Sequence, residues 1–489
     1  MAIITLSRIV AFWAGQQPDR AAIDHEGVQI SWAELDRRTN RLARAYEQLG
    51  VKQDDFVTIA LPNGIEFFEA CLATWKAGAT PQPISSRLPR HERDQIVELG
   101  KPALVVGVPA GEYGDTPSVP ENFTPDASLP DTELPERMAA SIKAMTSGGS
   151  TGRPKLIVSR IPAAWDPEQP YLEIPVQGAI LIPGPLYHNG PFMWAMIALF
   201  KGCTVGITSR FDAEKTLATI ERLKVDVVYT VPTMMRRIWA LPEDVRNSYD
   251  LSSLKALWHL AAPCPAWLKE AFIEWLGGDV IWELYAGTEG QGTTMIQGTE
   301  WLDHRGSVGK PVEACEMIVV DEEGNRLPPG EIGEIFMRPL TGQGTTYRYI
   351  GAEAKAIEGG WESLGDMGWM DADGYLYLTD RLSDMILSGG ANIYPAEVEA
   401  AIDAFHGVHS SAVIGLPDED MGARLHAIIH RPDGSVEDTA MLAHLADLLV
   451  RYKIPKSFEY VAEPVRDDAG KVRRKALREE RVTKPKQDA

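Results

Sequence analysis

The sequence contains few of the features that mark secreted, membrane or zinc-binding proteins. Its four cysteines (Cys71, Cys203, Cys264 and Cys315) are far apart and form no CxxC or Cys/His cluster, which argues against a zinc site and a disulfide framework. No uncharged run reaches the roughly 18 residues that a bilayer span needs, and Met1–Ile9 lacks signal-peptide segments. We therefore expect a soluble cytoplasmic protein with no membrane partner.

The chain also has too few basic residues for a general nucleic-acid binder. It carries 69 Asp and Glu against 48 Lys and Arg, a formal net charge of −21, whereas binding a phosphate backbone requires a basic face. We expect no nucleic-acid partner. The length of 489 residues exceeds the roughly 250–300 at which a single core usually divides, which predicts more than one domain.

Helical and strand-like segments alternate through the first 300 residues. Trp32–Leu49 and Glu66–Lys76 have helical spacing, whereas Asp55–Leu61 and Ala103–Val108 are short apolar runs. The alternation resumes after the loop-like stretch Val108–Glu136, with strands predicted at Gly178–Pro183, Thr204–Thr208, Val225–Val231 and Val280–Leu284, and helices at Phe192–Phe200 and Ala213–Leu223. This pattern predicts a parallel sheet covered by helices on both faces.

The pattern changes after about residue 300. Short strands at Met317–Val320, Gly333–Met337 and Gly374–Leu378 are joined by DEEG, PPGE and DADG turns, as in antiparallel sheets. A compact α+β unit follows. We expect an α/β fold: an N-terminal domain, residues 1–382, of mixed, mainly parallel sheets covered by helices with a β-rich subdomain, and a small α+β domain, residues 383–489.

The most informative segment is TSGGSTGRPK at Thr146–Lys155. Glycines let backbone N–H groups turn toward an anion, hydroxyls add donors, and the final lysine adds charge. A flexible linker is the alternative, but the apolar flank Leu156–Val158 disfavours it. Neither GxxxxGK[ST] nor GxGxxG is present. The segment predicts a polyphosphate site of another kind.

TSGGSTGRPK resembles the phosphate-loop signature of the adenylate-forming enzymes, which include acyl-CoA synthetases, amino-acid adenylating domains and firefly luciferase. Other segments are similar to the family's motifs and follow in the same order: PLYHNGP at 185–191, ELYAGTE at 283–289, SLGDMG at 363–368, DRLSDMI at 380–386, SGGANIYP at 388–395 and GKVRR at 470–474. A single such segment is weak evidence, since a loop histidine or a solvated lysine is common. The ordered series is specific.

The resemblance implies roles for individual residues. Lys155, His188, Glu289 and Lys471 would be catalytic, and Glu289 with Thr151 would hold Mg²⁺, which prefers few carboxylates plus phosphate oxygens. Residues implied to bind ATP or AMP are Thr146, Ser147, Gly148, Gly149, Ser150, Thr151, Gly152, Ala262, Pro263, Glu283, Leu284, Tyr285, Ala286, Gly287, Thr288, Asp366 and Arg381.

The resemblance further implies an acyl pocket, a coenzyme A tunnel and a hinge. His188, Asn189, Trp194 and Gly287 would line the pocket, and Gly389 and Gly390 the tunnel. Ser383 occupies the hinge position, where relatives usually carry Asp or Lys; this departure puts charge-based control of the hinge in question. The small domain would rotate about it between half-reactions.

The implied activity is conversion of a carboxylic acid, with ATP and Mg²⁺, to an acyl-adenylate and then, with coenzyme A, to a thioester. Amino-acid-activating relatives place an Asp where this chain has Asn189, and a neutral amide would not compensate a buried substrate ammonium. Together with Trp194, Trp258 and Trp282, this favours an aromatic, polycyclic or otherwise apolar acid. An amide synthetase, in which an amine captures the adenylate, and a non-catalytic nucleotide-binding protein remain alternatives. A homodimer is an expectation from the class alone.

Overall fold

The computed structural model describes residues 3–148, 154–381, 384–388, 391–418, 421–432, 434, 436–467 and 470–483. Within these ranges the chain forms helices α1 Leu6–Gln16, α2 Trp32–Gln48, α3 Ile65–Lys76, α4 Arg90–Gly100, α5 Asn189–Phe200, α6 Ala213–Leu223, α7 Pro232–Trp239, α8 Glu243–Arg246, α9 Ala266–Leu276, α10 Gly298–Trp301, α11 Pro395–Asp403, α12 Asp438–Leu448 and α13 Arg474–Thr483.

The strands, also numbered in chain order, are β1 Ile4–Thr5, β2 Ala21–His25, β3 Val28–Ser31, β4 Phe56–Ile59, β5 Thr80–Pro83, β6 Leu104–Val106, β7 Ser118–Val119, β8 Ala144–Gly148, β9 Pro154–Ser159, β10 Ala164–Trp165, β11 Ala179–Ile182, β12 Thr204–Ile207, β13 Val227–Thr230, β14 Ala256–Leu260, β15 Ile281–Ala286, β16 Thr293–Gln297, β17 Lys310–Pro311, β18 Cys315–Val320, β19 Gly333–Pro339, β20 Tyr347–Ile350, β21 Lys355–Ile357, β22 Trp361–Met370, β23 Leu376–Arg381, β24 Ile386–Ser388, β25 Ala391–Ile393, β26 Ser410–Asp418, β27 Gly422–His430 and β28 Ser457–Val461.

The largest sheet has nine strands in the order β17-β16-β15-β14-β13-β11-β12-β2-β3. Its central pairs, from β15 to β2, are parallel, and the pairs at both edges are antiparallel. Strands such as Ala179–Ile182 are buried at every position, because helices cover both faces of the parallel region. The carboxyl ends of these strands point toward the segments that carry the motifs.

Local sequence signals explain where the helices begin and end. The Ser31 hydroxyl accepts a hydrogen bond from the Glu34 backbone N–H at the start of α2, the first half of a capping box. Asp212 caps α6 in the same way, through the Lys215 N–H. Gly50, with φ +100°, follows α2 in a conformation that glycine adopts without steric cost.

Two further N-terminal sheets support the hairpin that carries the phosphate segment. Strands β5-β4-β6-β7 form a parallel sheet, and β20-β9-β8 form an antiparallel one. A shared apolar cluster that includes Ala60, Val105 and Leu156 packs these sheets together. The hairpin is therefore fixed to a rigid core on the side away from its loop.

The β-rich part is an antiparallel sheet in the order β18-β19-β22-β21, with β23 paired to β22. Beyond it, β24-β25 and β26-β27-β28 form separate small sheets. Helices α11 and α12 pack on them around an apolar cluster of their own, which includes Ile393, Val398, Leu425 and Leu445. Arg236 of α7 contacts this unit through the carboxylate of Asp403.

The predicted fold class is confirmed: mixed α/β with mainly parallel sheets, an antiparallel region and a C-terminal α+β unit. The stretch Val108–Glu136 is mostly loop as predicted, but Ser118–Val119 forms a two-residue strand parallel to β6, too short to leave a periodic signal. All four cysteines are free, and three are buried. Among the described residues, no helix combines the length and apolarity that a bilayer span requires.

Candidate active site

The hairpin of β8 and β9 brings the two ends of the phosphate segment together. Its register pairs Thr146 with Leu156 and Ser147 with Lys155. Gly149, Ser150, Thr151 and Gly152, which follow β8 in the sequence, lie outside the described residues. The Thr146 hydroxyl oxygen is buried and has no hydrogen-bond partner among the described residues, although buried polar atoms are nearly always satisfied. A bound anion would supply the missing acceptor.

Lys155 meets a carboxylate from a distant part of the chain. Its Nζ lies 3.4 Å from Glu289 Oε1 and 4.0 Å from the centre of the Tyr349 ring. The Tyr349 hydroxyl donates to the same Glu289 oxygen at 2.5 Å, and burial together with the Glu289 charge raises the pKa of Tyr349 well above its ordinary value. The carboxylate is thus buried and held between a cation and a phenol.

The predicted nucleoside residues also converge. The Tyr285 hydroxyl donates to Asp366 Oδ2 at 2.7 Å, and Asp366 pairs across the β22–β23 ladder with Arg381. Gly287 lies close by: a Cβ there would come within 2.4 Å of Leu364 Cδ1 and 3.1 Å of Glu289 Oε2. Only glycine fits at that position without displacing Leu364.

Glu283 has a different role from its predicted neighbours. Its carboxylate accepts a hydrogen bond from the buried Lys269 Nζ at 2.6 Å, and His259, opposite it on β14, lies 3.9 Å away. The Lys269 charge and burial hold the pKa of His259 well below its ordinary value. The Glu283 side chain therefore serves an internal ion pair, which leaves its backbone available for a nucleotide.

The second motif forms the start of α5. His188 is its N-cap and Asn189 its first residue, and the Asn189 side-chain oxygen accepts a hydrogen bond from Lys143 Nζ. One turn further, Trp194 packs edge-on against Tyr229 at 5.5 Å and Trp258 at 6.1 Å. The pocket residues predicted from the sequence, except Gly287, thus share one helix that abuts the central sheet.

The His188 ring is neutral near pH 7. Burial of the ring lowers its pKa to about 3, and the positive charges of Lys471 and Arg473 contribute. The Nε2 atom of His188 is buried and has no hydrogen-bond partner within the described ranges. A neutral imidazole suits a gate or a hydrogen-bonding wall better than a general acid.

This pKa predicts a pH-dependent stability. The unfolded histidine, with a pKa of about 6.5, takes up its proton before the folded one, so stability is full above pH 6.5 and falls toward pH 3. Between pH 7 and 4.5 we expect wild type to lose about 2 kcal/mol more than His188→Gln. Urea unfolding at both pH values measures the difference. His91→Gln, at an exposed histidine, is the control; equal losses in wild type and His188→Gln would contradict the assignment.

The C-terminal motif lies against the large domain. The Asp467 backbone N–H donates to the Lys471 carbonyl in a tight turn, and the Asp467 carboxylate accepts a hydrogen bond from the Lys471 N–H at 2.9 Å. Gly470 lies near Thr233 and Ala262. Lys471 is therefore on the same side of the molecule as His188, whose pKa it lowers.

Several predicted residues cannot be placed. Thr151, Ser383, Gly389 and Gly390 lie outside the described residues, so the hinge, the tunnel and half of the predicted magnesium pair remain predictions. Among the described residues, no group of three or more His, Cys, Asp or Glu could hold a metal. A buried Glu289 carboxylate beside a phosphate segment nevertheless fits Mg²⁺, which retains waters and binds phosphate oxygens.

Sequence reasoning missed Lys143, Tyr349 and Lys269. Tyr349 and Lys269 lie outside every motif, and the tertiary fold alone brings them to the site. Lys143 did leave a signal in the sequence. It is a lysine in the otherwise uncharged run ASIKAMTSGG, which leads into the phosphate segment. A charge in such a run is buried only when the fold gives it a partner.

Comparison with known proteins agrees with this geometry. The family model described as "AMP-binding enzyme" matches residues 10–349. Feruloyl-CoA synthase of an Amycolatopsis species is 32% identical over 477 residues, with 94% of this chain and 95% of the relative covered. The long-chain-fatty-acid–CoA ligase FadD13 of Mycobacterium tuberculosis is 28% identical, with 93% of each chain covered.

A solved structure extends the likeness to the whole fold. The o-succinylbenzoate CoA synthetase MenE of Bacillus subtilis, in complex with its acyl-adenylate intermediate, superposes with a TM-score of 0.81 at 24% identity. The alignment covers 100% of this chain and 99% of that one. Because the family model spans more than half of the chain and a relative above 30% identity covers nearly all of it, the protein belongs to the AMP-binding enzyme family.

Proposed function

We propose that this enzyme activates a carboxylic acid with ATP to an acyl-adenylate and then transfers the acyl group to coenzyme A, releasing pyrophosphate and AMP. The observation that carries the proposal is the contact between Lys155 and Glu289, 3.4 Å apart although 134 residues separate them. Relatives of nearly full length that are named as CoA ligases support the choice of acceptor.

The first half-reaction requires alignment and charge neutralisation more than base catalysis. The substrate carboxylate is already the nucleophile at the α-phosphate, and the developing charge must be balanced. Lys155 and Lys471 would supply positive charge, and the Thr146 hydroxyl a hydrogen bond. Mg²⁺, held by Glu289 and Thr151, would neutralise the phosphate oxygens.

The nucleoside would bind at the edge where β15 ends. The Asp366 carboxyl oxygens would accept hydrogen bonds from the ribose hydroxyls, with Arg381 beside them. Tyr285 would present its ring to the adenine, and the absence of a side chain at Gly287 would let the base approach the backbone. Ala262 and Pro263 would close the other side.

The second half-reaction would follow a rotation of residues 383–489 against residues 1–382, about Ser383. This movement would withdraw Lys471 and bring Gly389 and Gly390 to the adenylate, forming the passage for the thiol. Hinged closure of this kind requires only a few residues to change conformation. Coenzyme A is thus a co-substrate that engages only the second arrangement.

Product analysis tests the proposal. The protein is incubated with Mg·ATP, coenzyme A, a simple amine and a pool of aromatic, polycyclic and linear acids, and products are identified by mass spectrometry, with an ATP-free control. We expect an acyl-CoA mass together with AMP. An amide with unmodified coenzyme A would assign the amide synthetase activity instead, and no adenylate or AMP with any acid would favour a non-catalytic nucleotide-binding protein.

A further inference from the structure

Lys143 is a buried cation without a carboxylate partner in the part of the chain that the structure describes. Its side chain is 9% exposed, and its Nζ donates to the neutral Asn189 amide. Within the described residues no carboxylate forms an ion pair with it. Burial lowers its pKa to about 8, opposed by the more distant Glu289 charge, so the amine is still mainly protonated at pH 7. A buried charge in such surroundings is unfavourable unless a ligand compensates it.

The backbone of Lys143 lies further along the hairpin than the phosphate segment. Lys143, Met145 and Ser147 share one face of the strand, because side chains alternate along it, and Ser147 lies opposite Lys155. The Lys143 carbonyl continues the ladder by accepting from the Ser159 N–H. At ~3.3 Å per residue, Lys143 therefore lies roughly 13 Å along the hairpin from Ser147. Its amine reaches α5, the helix that carries the predicted acyl pocket.

The helix that carries the predicted acyl pocket packs among other donors that lack acceptors. The indole N–H groups of Trp194 and Trp258 are buried and have no hydrogen-bond partner among the described residues. The two rings are 6.1 Å apart, and Trp194 shares α5 with Asn189. The N-terminus of α5 adds a partial positive charge near Lys143. Unmet donors and positive charge beside the predicted pocket favour a ligand rich in acceptors.

We propose that Lys143 determines substrate specificity by binding an oxygen acceptor on the body of the acid rather than on the carboxyl that reacts. The inference rests on the proposed function and narrows its substrate class from apolar ring acids to ring acids that bear a second carboxylate, a carbonyl or a hydroxyl. A pure hydrocarbon acid would displace water from the Lys143 ammonium. The ammonium would then have only the Asn189 amide as a hydrogen-bond acceptor.

A matched series of acids tests this role. Adenylate formation is measured by pyrophosphate release with 3-phenylpropanoate and its 4-hydroxy, 4-acetyl and 4-carboxy ring derivatives, in wild type, Lys143→Met and Lys143→Arg. We expect wild type to favour at least one oxygenated acid over the hydrocarbon by about tenfold or more in kcat/KM, mainly through KM. Lys143→Met should abolish that preference and Lys143→Arg retain part of it. The preferred derivative identifies the acceptor.

Lys201→Met is the control, because Lys201 is also buried but donates to the backbone carbonyls of Pro167 and Gln169. It should keep the wild-type preference. Since each preference is a ratio within one variant, partial misfolding cancels. A wild type without preference, or a Lys143→Met variant that lowers kcat equally for every acid, would overturn the inference.

Equilibrium binding separates this inference from the proposed function. Quenching of tryptophan fluorescence, with no ATP present, reports binding of each acid near Trp194 and Trp258. If no acid releases pyrophosphate yet the preferred derivative binds wild type about tenfold more tightly than Lys143→Met, the proposed function fails and the role of Lys143 stands. If the two proteins bind every acid equally, the role of Lys143 is wrong.

Discussion

Replacing Lys471 with alanine is expected to lower the rate of adenylate formation by about 10²–10³-fold while leaving thioester formation from a supplied acyl-adenylate nearly unchanged. A fixed cation that faces developing charge in a water-poor site contributes about this much. The turn that carries Lys471 is held by the Asp467 carboxylate and lies near Ala262. In the proposed mechanism the amine serves the conformation in which the first half-reaction occurs.

The two half-reactions can be assayed apart. Pyrophosphate release with acid and Mg·ATP follows the first, and conversion of synthetic acyl-adenylate with coenzyme A follows the second. Lys475→Ala removes an exposed lysine from the same segment and should affect neither. An equal loss in both assays for Lys471→Ala would refute the division of labour between conformations.

Glu399→Gln is expected to destabilise the C-terminal unit by about 3–5 kcal/mol. The Glu399 side chain is buried and accepts hydrogen bonds from Arg466 Nη2 at 2.6 Å, from Arg474 Nη2 at 2.8 Å and from the Val413 N–H at 2.8 Å. A neutral amide would leave two guanidinium groups next to each other with less compensation. Arg474 would keep its 2.7 Å contact with Asp384.

This loss should also affect catalysis. Arg466 donates to the Gly470 carbonyl at 3.1 Å, so the Glu399 network holds the turn that presents Lys471. We expect adenylate formation to fall in Glu399→Gln, and to fall more than thioester formation does. A larger loss of adenylate formation than of thioester formation would indicate that the buried Glu399 ion pairs hold Lys471 in position.

Glu397→Gln is the matched control, since Glu397 lies on the same helix and pairs with Lys453 at 2.6 Å at the surface. Exposed pairs contribute about 0–1 kcal/mol. All 13 tryptophans precede residue 370, so tryptophan fluorescence would miss the change. Hydrogen exchange over residues 391–418 measures it directly, as a protection factor lower by ~10²–10⁴-fold. Equal exchange in the two variants would contradict the assignment.

Much of the architecture could be predicted because it depends on local patterns. The apolar runs at residues 179–182, 204–207 and 227–230 became buried parallel strands, and the helix of Ala213–Leu223 has the predicted bounds. The strand Ala256–Leu260 and the helix Ala266–Leu276 were not predicted. The strand ALWHL includes His259. Burial holds the pKa of this histidine well below its ordinary value, so the ring is neutral in the folded protein.

The candidate site, like the fold, was predicted in part from the sequence and in part set by tertiary contacts. The ordered motifs identified Lys155, Glu289, Tyr285 and Asp366, and the structure brings these into two contacting pairs. Glu283 was predicted with them, yet its carboxylate pairs with Lys269. A motif records which residues occur together, but it does not record whether a side chain faces the ligand or the core.

The sequence by itself determined the fold class through hydrophobic periodicity, which acts over a few residues, and it determined the family and the reaction type through the resemblance of its ordered motifs to those of the adenylate-forming enzymes. Only the tertiary structure decided the surroundings of each charge. Lys143 and Asn189 are 46 residues apart, and Glu399 and Arg474 are 75 apart. The energy of a buried charge depends on the partners that folding places within a few ångströms, and those partners come from distant segments.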